Sequence, residues 1–215
     1  LVADIKTSEQ LALPVPAIQT GKPQLIVSDP SPYQEEKMIE LGERADAIRQ
    51  KSVEPHEDNM LKITHEAKLM AIDPRLLDPT VPAYPEGKLF RCVDNVYRIW
   101  KTSDLQHSTQ IIFSDSGTPK SNQFNVYDEV KQLLIKKGIP EKEIAFIHSA
   151  KNDRQREELF EKVRQGEIRI LLGSTEKLGT GTNIQDKLLA VHHVDVPFRP
   201  SEFKQLDGRI VSQGN

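Results

Sequence analysis

Short apolar runs alternate with amphipathic segments in the second half of the chain. The runs are rich in Ile, Val, Leu and Phe, and they are TQIIFS (109–114), EIAFIHS (143–149), IRILLGS (168–174) and LLAVHHVDV (188–196). The segment after the first run begins at Asn125 and stops at Gly138, and the segment after the second begins at Asn152 and stops at Gly166. Asn is a preferred helix N-cap and Gly a preferred C-terminal stop. The alternation predicts βαβ units and an α/β fold with four parallel strands.

Helical periodicity dominates the first half. Ser31 and Pro32 supply an N-cap and a first-turn proline for a helix predicted over about 32–51. Its apolar face would hold Met38, Leu41, Ala45 and Ile48. A second helix is predicted over NMLKITHEAKLMAID, and a third has one apolar face that carries Leu89, Val93, Val96 and Trp100. We therefore expect a helical arm over 32–106, followed by the α/β domain over 107–215.

The first 31 residues differ from both halves. They contain four prolines, at positions 14, 16, 23 and 30, and few apolar anchors. This composition predicts an extended lead-in over 1–31 that becomes ordered only by docking on the rest of the protein. The chain has no initiator Met and ends at QGN, which suggests a piece of a longer protein.

Composition narrows the class of protein. The 215 residues carry 29 Lys and Arg against 32 Asp and Glu, a net charge of −3, so any surface for nucleic acid would have to be local. No apolar run approaches the roughly 20 residues that cross a bilayer, so no membrane partner is expected. The single cysteine, Cys92, excludes an internal disulfide and a multi-cysteine zinc site and fits a reducing compartment. A soluble, cytoplasmic protein without a metal site of its own is expected.

Two segments after the apolar runs carry the chemical signals. Ligands of open α/β sheets bind beyond the carboxyl ends of the strands. After the third run, Gly179 and Gly181 would let backbone amides approach a ligand, although a loop that only needs positive φ would look the same. After the fourth run, Pro200 starts a short helix that carries Gln205 and Arg209 one turn apart. Together the two segments indicate a ligand site at this edge.

These signals form a pattern known from helicases. The chain has GxGxN at 179–183, a strand that ends in Asp195, FRP at 198–200 and QxxxR at 205–209, and together these resemble the second RecA-like domain of superfamily 2 helicases, most closely the Swi/Snf-type branch. The phrases DNMLKITHEAKLMAID, FNVYDEV and LLGSTEKLGTGTNIQDKL look like the large helicase/adenine-specific DNA methylase proteins of bacterial mobile elements. The resemblance implies a RecA-like parallel sheet with flanking helices, preceded by a helical arm.

The resemblance also implies roles for individual residues. Arg209 would be the catalytic residue that reaches the γ-phosphate, because a planar guanidinium suits charge that spreads over phosphoryl oxygens. The other residues that would contact ATP are Gly179, Gly181, Asn183 and Gln205. The DNA backbone would be gripped without sequence preference by hydroxyls and amides at the strand ends, namely those of Ser114, His148, Ser149, Ser174 and Thr175.

Parts of a complete ATPase are missing from the sequence. It has no GxxxxGK[ST] loop and no acidic metal-binding box after a strand, so the chain alone is expected to hydrolyse no ATP. We expect it to be the second half of an ATP-dependent DNA helicase or translocase. A first RecA-like domain of the same parent chain would hold Mg²⁺ and the phosphates. The resemblance further implies a methyltransferase domain elsewhere in the parent.

One position departs from the helicase pattern. Motif VI in these families usually has a second arginine three residues after the first, and here that position is Ser212. ATP turnover then relies on Arg209 alone, or the protein is a weakened or inactive ATPase, or the sequence carries a substitution. The competing function is a degenerate helicase fold that binds DNA or a partner protein without ATP turnover. A Rossmann-type enzyme is disfavoured, because SDSGTPKS follows the first run where GxGxxG would be needed.

Other reactive side chains are interpreted as structural. His192 and His193 are adjacent in a predicted strand and would point to opposite faces, so they cannot chelate one metal together. Asp115 is expected to cap the turn after the first strand. Three side chains of the third predicted helix are expected to pack in the core rather than to react or to stack on bases: Cys92, Tyr97 and Trp100.

Overall fold

The computed structural model describes residues 22–178 and 184–195. The helices in these ranges are α1 (Pro32–Arg49), α2 (Met60–Ile72), α3 (Lys88–Thr102), α4 (Val126–Lys136), α5 (Asp153–Gln165) and α6 (Thr175–Leu178). The strands are β1 (Thr109–Phe113), β2 (Ile144–Phe146), β3 (Ile170–Gly173) and β4 (Leu188–His193). Short 3₁₀ turns occur at Pro74–Leu76, Asp104–Gln106, Glu141–Glu143 and Ile147–Ser149. Most of the predicted lead-in, residues 1–21, lies outside the described ranges.

The four strands form one parallel sheet in the order β2, β3, β1, β4. Ile111 of β1 lies opposite Leu171 of β3 and Val191 of β4. The predicted α/β fold with four parallel strands is therefore confirmed. β2 is shorter than the predicted run over 143–149, because the chain leaves the sheet in the 3₁₀ turn that buries Ile147 in the core.

Helices cover both faces of the sheet, as apolar strands buried on both sides require. On one face α3 and α4 pack with Ile112 and Leu172. On the other face α5 and α6 pack with Ile111 and Leu171. Successive side chains of a strand point to opposite faces, so β1 contributes to both cores, and all of its residues are buried.

The third predicted helix, α3, packs directly on the sheet. Val93 and Val96 are fully buried in the same cluster as strand side chains. Tyr97 and Trp100 pack against this cluster and stack on each other, with their ring centroids 5.9 Å apart. Cys92 packs there as well, and burial raises the pKa of its thiol to about 12. The core interpretation of these three side chains is confirmed.

A buried arginine joins the end of α3 to the sheet. Arg169 precedes β3 and is only 1 % exposed. Its guanidinium donates hydrogen bonds to the Trp100 carbonyl at 2.6 Å, the Ser108 carbonyl at 3.3 Å and the Asp104 carboxylate at 2.7 Å. It also lies over the Trp100 ring, 5.0 Å from the centroid. A buried guanidinium is tolerated only where its donors are satisfied, and here they hold the start of β3 against the end of α3.

The helices α1 and α2 pack against each other and share a small apolar cluster made of Leu41, Ile63 and Met70. The capping box predicted at the start of α1 is present, with Ser31 and Gln34 bonded reciprocally. Met38, on the predicted apolar face of α1, is 53 % exposed, whereas Leu41 on the same face is buried. Ala45 and Ile48 pack against the cluster of Leu41, Ile63 and Met70, so the contact with α2 covers only part of the predicted apolar face. None of the helices in the described ranges is long and apolar enough to cross a membrane.

An ion cluster ties the connector after α2 to α4. The Arg75 guanidinium donates to Asp73 at 2.8 Å and to Glu129 of α4 at 2.9 Å. It also lies 4.3 Å from the centroid of the Phe124 ring. The connector is thus fixed to the helix layer of the sheet. The division into an arm over 32–106 and a domain over 107–215 stays a prediction, and α3 packs with the sheet rather than apart from it.

Candidate functional site

The segments that follow β3, β1 and β4 lie side by side, because these three strands are parallel neighbours. Their carboxyl ends form the edge at which ligands of open α/β sheets bind. We call this edge the rim and define it by Ser114, Asp115, Ser174, Thr175 and Asp195, together with His148 and Ser149 after β2. Polar side chains link the three strand ends across the rim.

Asp195 is the buried centre of the rim, with 4 % of its surface exposed. Its carboxylate accepts a hydrogen bond from the Asp115 backbone N–H at 3.1 Å and from the Ser116 backbone N–H at 2.9 Å. The Lys68 ammonium of α2 forms an ion pair with it at 3.5 Å. A buried carboxylate needs such donors and a counter-charge, so Asp195 fixes the turn after β1 to the end of β4.

Asp115 continues this chain of contacts to β3. Its carboxylate accepts hydrogen bonds from the Thr175 backbone N–H at 2.7 Å and from the Thr175 hydroxyl at 2.9 Å. Asp115 is itself exposed, and its backbone is held by Asp195. Asp115 therefore has a structural role, as predicted, although it caps the start of α6 rather than its own turn.

The hydroxyls of Ser114 and Ser174 lie beneath the rim surface. Ser114 is 1 % exposed and donates to the Ser116 carbonyl at 2.8 Å, while its own carbonyl accepts from the Tyr127 hydroxyl at 2.7 Å. Ser174 is 9 % exposed, and its Oγ accepts from the Lys177 backbone N–H at 3.4 Å. Both serines were predicted to contact DNA. Their side chains shape the turns that carry Asp115 and Thr175, and their contact with DNA stays a prediction.

His148 and Ser149 lie in the 3₁₀ turn that follows β2. The His148 ring packs edge-on against Tyr127, with centroids 5.1 Å apart. Burial, with a smaller effect of the Lys177 charge, lowers the pKa of His148, so the imidazole is neutral at neutral pH. Ser149 is exposed and donates to the Phe146 carbonyl at 2.7 Å.

Close packing brings this turn against α6. At Gly173, the last residue of β3, a Cβ atom would lie 2.2 Å from Leu178 Cδ1 and 2.9 Å from Ile147 Cγ2. Contacts below about 3 Å between such atoms do not occur in packed proteins, so a larger residue here would force the Leu178 and Ile147 side chains to move. The missing side chain lets α6, which begins at Thr175, approach the turn that carries His148.

The structure therefore joins Asp115, Thr175 and Asp195 in one hydrogen-bonded set, with His148 and Ser149 on the neighbouring turn. The predicted nucleotide-contacting and catalytic positions lie outside the described residues: Gly179, Gly181, Asn183, Gln205 and Arg209. Ser212 lies outside them too. How these positions meet the rim stays a prediction.

Sequence reasoning missed the contribution of the preceding helices to the rim. Lys68 of α2 forms an ion pair with Asp195. Lys88, at the start of α3, interacts electrostatically with the same carboxylate. Burial lowers the pKa of the Lys88 ammonium, and the Asp195 charge opposes that shift. No spacing rule connects lysines on two helices with an aspartate that follows β4, so no local signal pointed to this contact.

The two adjacent histidines of β4 have separate structural partners. The His192 Nε2 atom lies 2.9 Å from the Gln110 side-chain oxygen, and that amide donates to the Val96 carbonyl at 3.0 Å. The His193 ring stacks on Phe113 with centroids 5.3 Å apart. Within the described ranges, no group of three or more His, Cys, Asp or Glu side chains could hold a metal ion.

Comparison with known proteins gives one family match. The model of the helicase conserved C-terminal domain matches residues 92–214, which is more than half of the 215-residue chain. The match begins within α3 and includes the whole sheet, and the parallel four-stranded sheet with helices on both faces agrees with the RecA-like fold of that family. A search of curated proteins finds no match.

Proposed function

Because the chain belongs to the family of helicase conserved C-terminal domains, we propose that it is the second RecA-like half of an ATP-dependent DNA helicase or translocase. Helicases in general bind nucleic acid and use ATP with Mg²⁺. The observation that carries the proposal is the rim, where Asp195, Asp115 and Thr175 hold three neighbouring strand ends in one fixed arrangement. A ligand at this edge meets a preorganised surface.

The nucleic-acid side of the proposal rests on the partly or fully exposed groups of the rim. Thr175, Ser149 and His148 are uncharged hydrogen-bonding side chains that suit the phosphates and sugars of a DNA backbone. Ser174 fixes the turn that carries Thr175, and Ser114 fixes the turn that carries Asp115, the hydrogen-bond partner of Thr175. Such contacts position a strand without reading its sequence. The net charge of −3 agrees with a grip that is local rather than spread over the surface.

The ATP-binding part of the proposal rests on the hydrogen-bond donors that the sequence supplies at five positions. Gly179 and Gly181 offer backbone N–H groups, Asn183 and Gln205 offer amides, and Arg209 offers a guanidinium. This set suits a polyphosphate and includes no carboxylate that would hold Mg²⁺. The magnesium ion and the phosphate-binding loop are therefore assigned to a first RecA-like half of the same parent chain. Arg209 would stabilise negative charge across the cleft between the halves.

The finer family context belongs to this proposal as well. The Swi/Snf-type branch, the bacterial mobile-element context and a methyltransferase domain in the parent are supported by the phrases DNMLKITHEAKLMAID and LLGSTEKLGTGTNIQDKL. The second candidate function is a helicase-fold module that binds DNA or a partner protein without ATP turnover. Ser212 favours it, because a serine cannot replace the charge of a second motif VI arginine.

Substitution of Arg209 in a protein that contains both RecA-like halves separates the two candidates. Arg209→Ala should lower DNA-stimulated ATP hydrolysis by about 100-fold or more, since the guanidinium acts mainly as the γ-phosphate leaves. DNA affinity should stay nearly unchanged. Ser212→Arg should raise the hydrolysis rate. If the parent shows no ATPase activity and both substitutions change DNA affinity alone, the binding-module function replaces the helicase function.

A further inference from the structure

Both hydrogen-bond donors of Thr175, its backbone N–H and its hydroxyl, already bond to another side chain of the protein. Its backbone N–H and its hydroxyl both point to the Asp115 carboxylate, at 2.7 Å and 2.9 Å. A hydroxyl has a single proton to donate, so Thr175 has no proton left for a phosphate oxygen while this contact lasts. A carboxylate and a phosphate accept hydrogen bonds from the same kinds of donor.

The Asp115 carboxylate is held in place by its backbone rather than by burial. Asp195 accepts the backbone N–H bonds of Asp115 and Ser116, and the Lys68 ammonium pairs with Asp195. The Asp115 side chain itself is exposed to solvent. It can therefore rotate away from Thr175 without opening the core, while the turn that carries it stays fixed.

We propose that Asp115 is a displaceable internal ligand of the rim: its carboxylate occupies the Thr175 donors that a nucleic-acid backbone phosphate uses, and binding requires the exchange of one anion for the other. This inference rests on the proposed function, because it names Thr175 as a phosphate contact. Its consequence is that Asp115 weakens nucleic-acid binding and sets how readily the strand is released.

The test uses the full 215-residue chain and a fluorescently labelled single-stranded DNA of about 20 nucleotides, with affinity measured by anisotropy over a salt series. Asp115→Asn should raise the affinity about threefold to tenfold, because the competing charge is gone while one acceptor oxygen remains for the Thr175 N–H. Asp115→Ser removes the same negative charge and replaces the carboxylate with another short side chain, so it should raise the DNA affinity as well. Urea unfolding establishes that each variant is folded.

The matched control is Glu176→Gln, which removes one negative charge from the next residue of α6. The Glu176 charge is screened by salt and does not accept from the Thr175 donors in the described contacts, so its loss should raise the DNA affinity by less than about twofold at physiological salt. The decisive measurement is Asp115→Asn in a Thr175→Val background. If the carboxylate acts through the Thr175 donors, its removal there should raise the affinity clearly less than it does in the unmodified chain, because valine keeps the backbone N–H and lacks the hydroxyl.

The outcomes separate the two proposals. Displacement by phosphate is overturned if Asp115→Asn lowers the affinity, leaves it unchanged, or raises it equally when Thr175 is valine. It is supported if binding is detected only after Asp115→Asn. If neither the unmodified chain nor Asp115→Asn and Asp115→Ser binds single-stranded DNA at low salt, the DNA-binding part of the proposed function fails and this inference fails with it.

Discussion

The sheet with its packed helices, which we call the sheet unit (residues 88–195), and the α1–α2 pair each contain an arginine that bonds to several acceptors. The two arginines lie in different surroundings. Arg169 is 1 % exposed and bonds to the Trp100 and Ser108 carbonyls as well as to the Asp104 carboxylate. Arg44 is 28 % exposed and pairs with Asp58 and Glu66, whose pKa values it lowers. Water reaches the Arg44 guanidinium, whereas it does not reach the Arg169 guanidinium. The Arg169 guanidinium should therefore contribute much more to the free energy of unfolding than the Arg44 guanidinium does.

The largest effect is expected at Arg169. Arg169→Met would leave the Trp100 and Ser108 carbonyls without their partner in the core and should lower the free energy of unfolding by about 4 kcal/mol. Urea denaturation followed by circular dichroism measures this loss. Arg154→Met is the control, because Arg154 is 89 % exposed and forms its ion pair with Glu158 on the surface of α5. Equal losses in the two variants would contradict the contrast between buried and exposed arginines.

A second effect of burial in the sheet unit is a dependence of stability on pH. Burial, with smaller effects of the His193 and Arg98 charges, lowers the pKa of His192 to about 4. Its ring donates from Nε2 to Gln110, whose amide is oriented by the Val96 carbonyl, so the neutral form fits the site. The unfolded chain takes up a proton below about pH 6.5 and the folded chain does not, so stability is lost as pH falls.

This loss should be complete near pH 4 and amount to about 3 kcal/mol, since each pKa unit corresponds to about 1.4 kcal/mol. Urea unfolding at a series of pH values between neutral and pH 4 measures it. His192→Gln should flatten the profile in this window, because no proton is taken up by glutamine. A profile of the same slope in His192→Gln would assign the dependence to other groups.

The smallest effect is expected at Arg44. Arg44→Met should destabilise the chain several-fold less than Arg169→Met, because its ion pairs with Asp58 and Glu66 lie near water and are screened. The difference between Arg44→Met and the unmodified chain should also shrink in high salt, whereas the loss in Arg169→Met should not. Urea unfolding at low and high salt concentration compares them. A salt-independent loss at Arg44 would show that its role is packing rather than charge.

Local signals in the sequence were enough to place most elements of the described ranges. Ser31, Asn125 and Asn152 each cap the helix predicted after them, and Gly166 ends α5 with a φ of 78°. These contacts span only a few residues, so the local sequence specifies them. The strands followed from apolar runs that can be buried only inside a sheet with helices on both faces.

The candidate site could be located from the sequence but not assembled from it. The rule that ligands bind at the carboxyl ends of parallel strands pointed to Ser114, His148 and Thr175. It did not reveal that Ser114 is buried or that the Thr175 hydroxyl is bonded to Asp115. Both facts depend on which side chain from another strand lies within hydrogen-bond distance, and that is set by the strand order.

The sequence by itself determined the kinds of element, their order along the chain and the helicase-like character of most of the chain. Only the tertiary structure decided the strand order β2, β3, β1, β4, the burial of Arg169 beneath α3 and the pairing of Lys68 with Asp195. Helix caps and apolar periodicity act between near neighbours, where the backbone fixes the distances. Contacts between distant residues depend on how whole layers pack, because burial there decides which charges and hydrogen bonds must be satisfied.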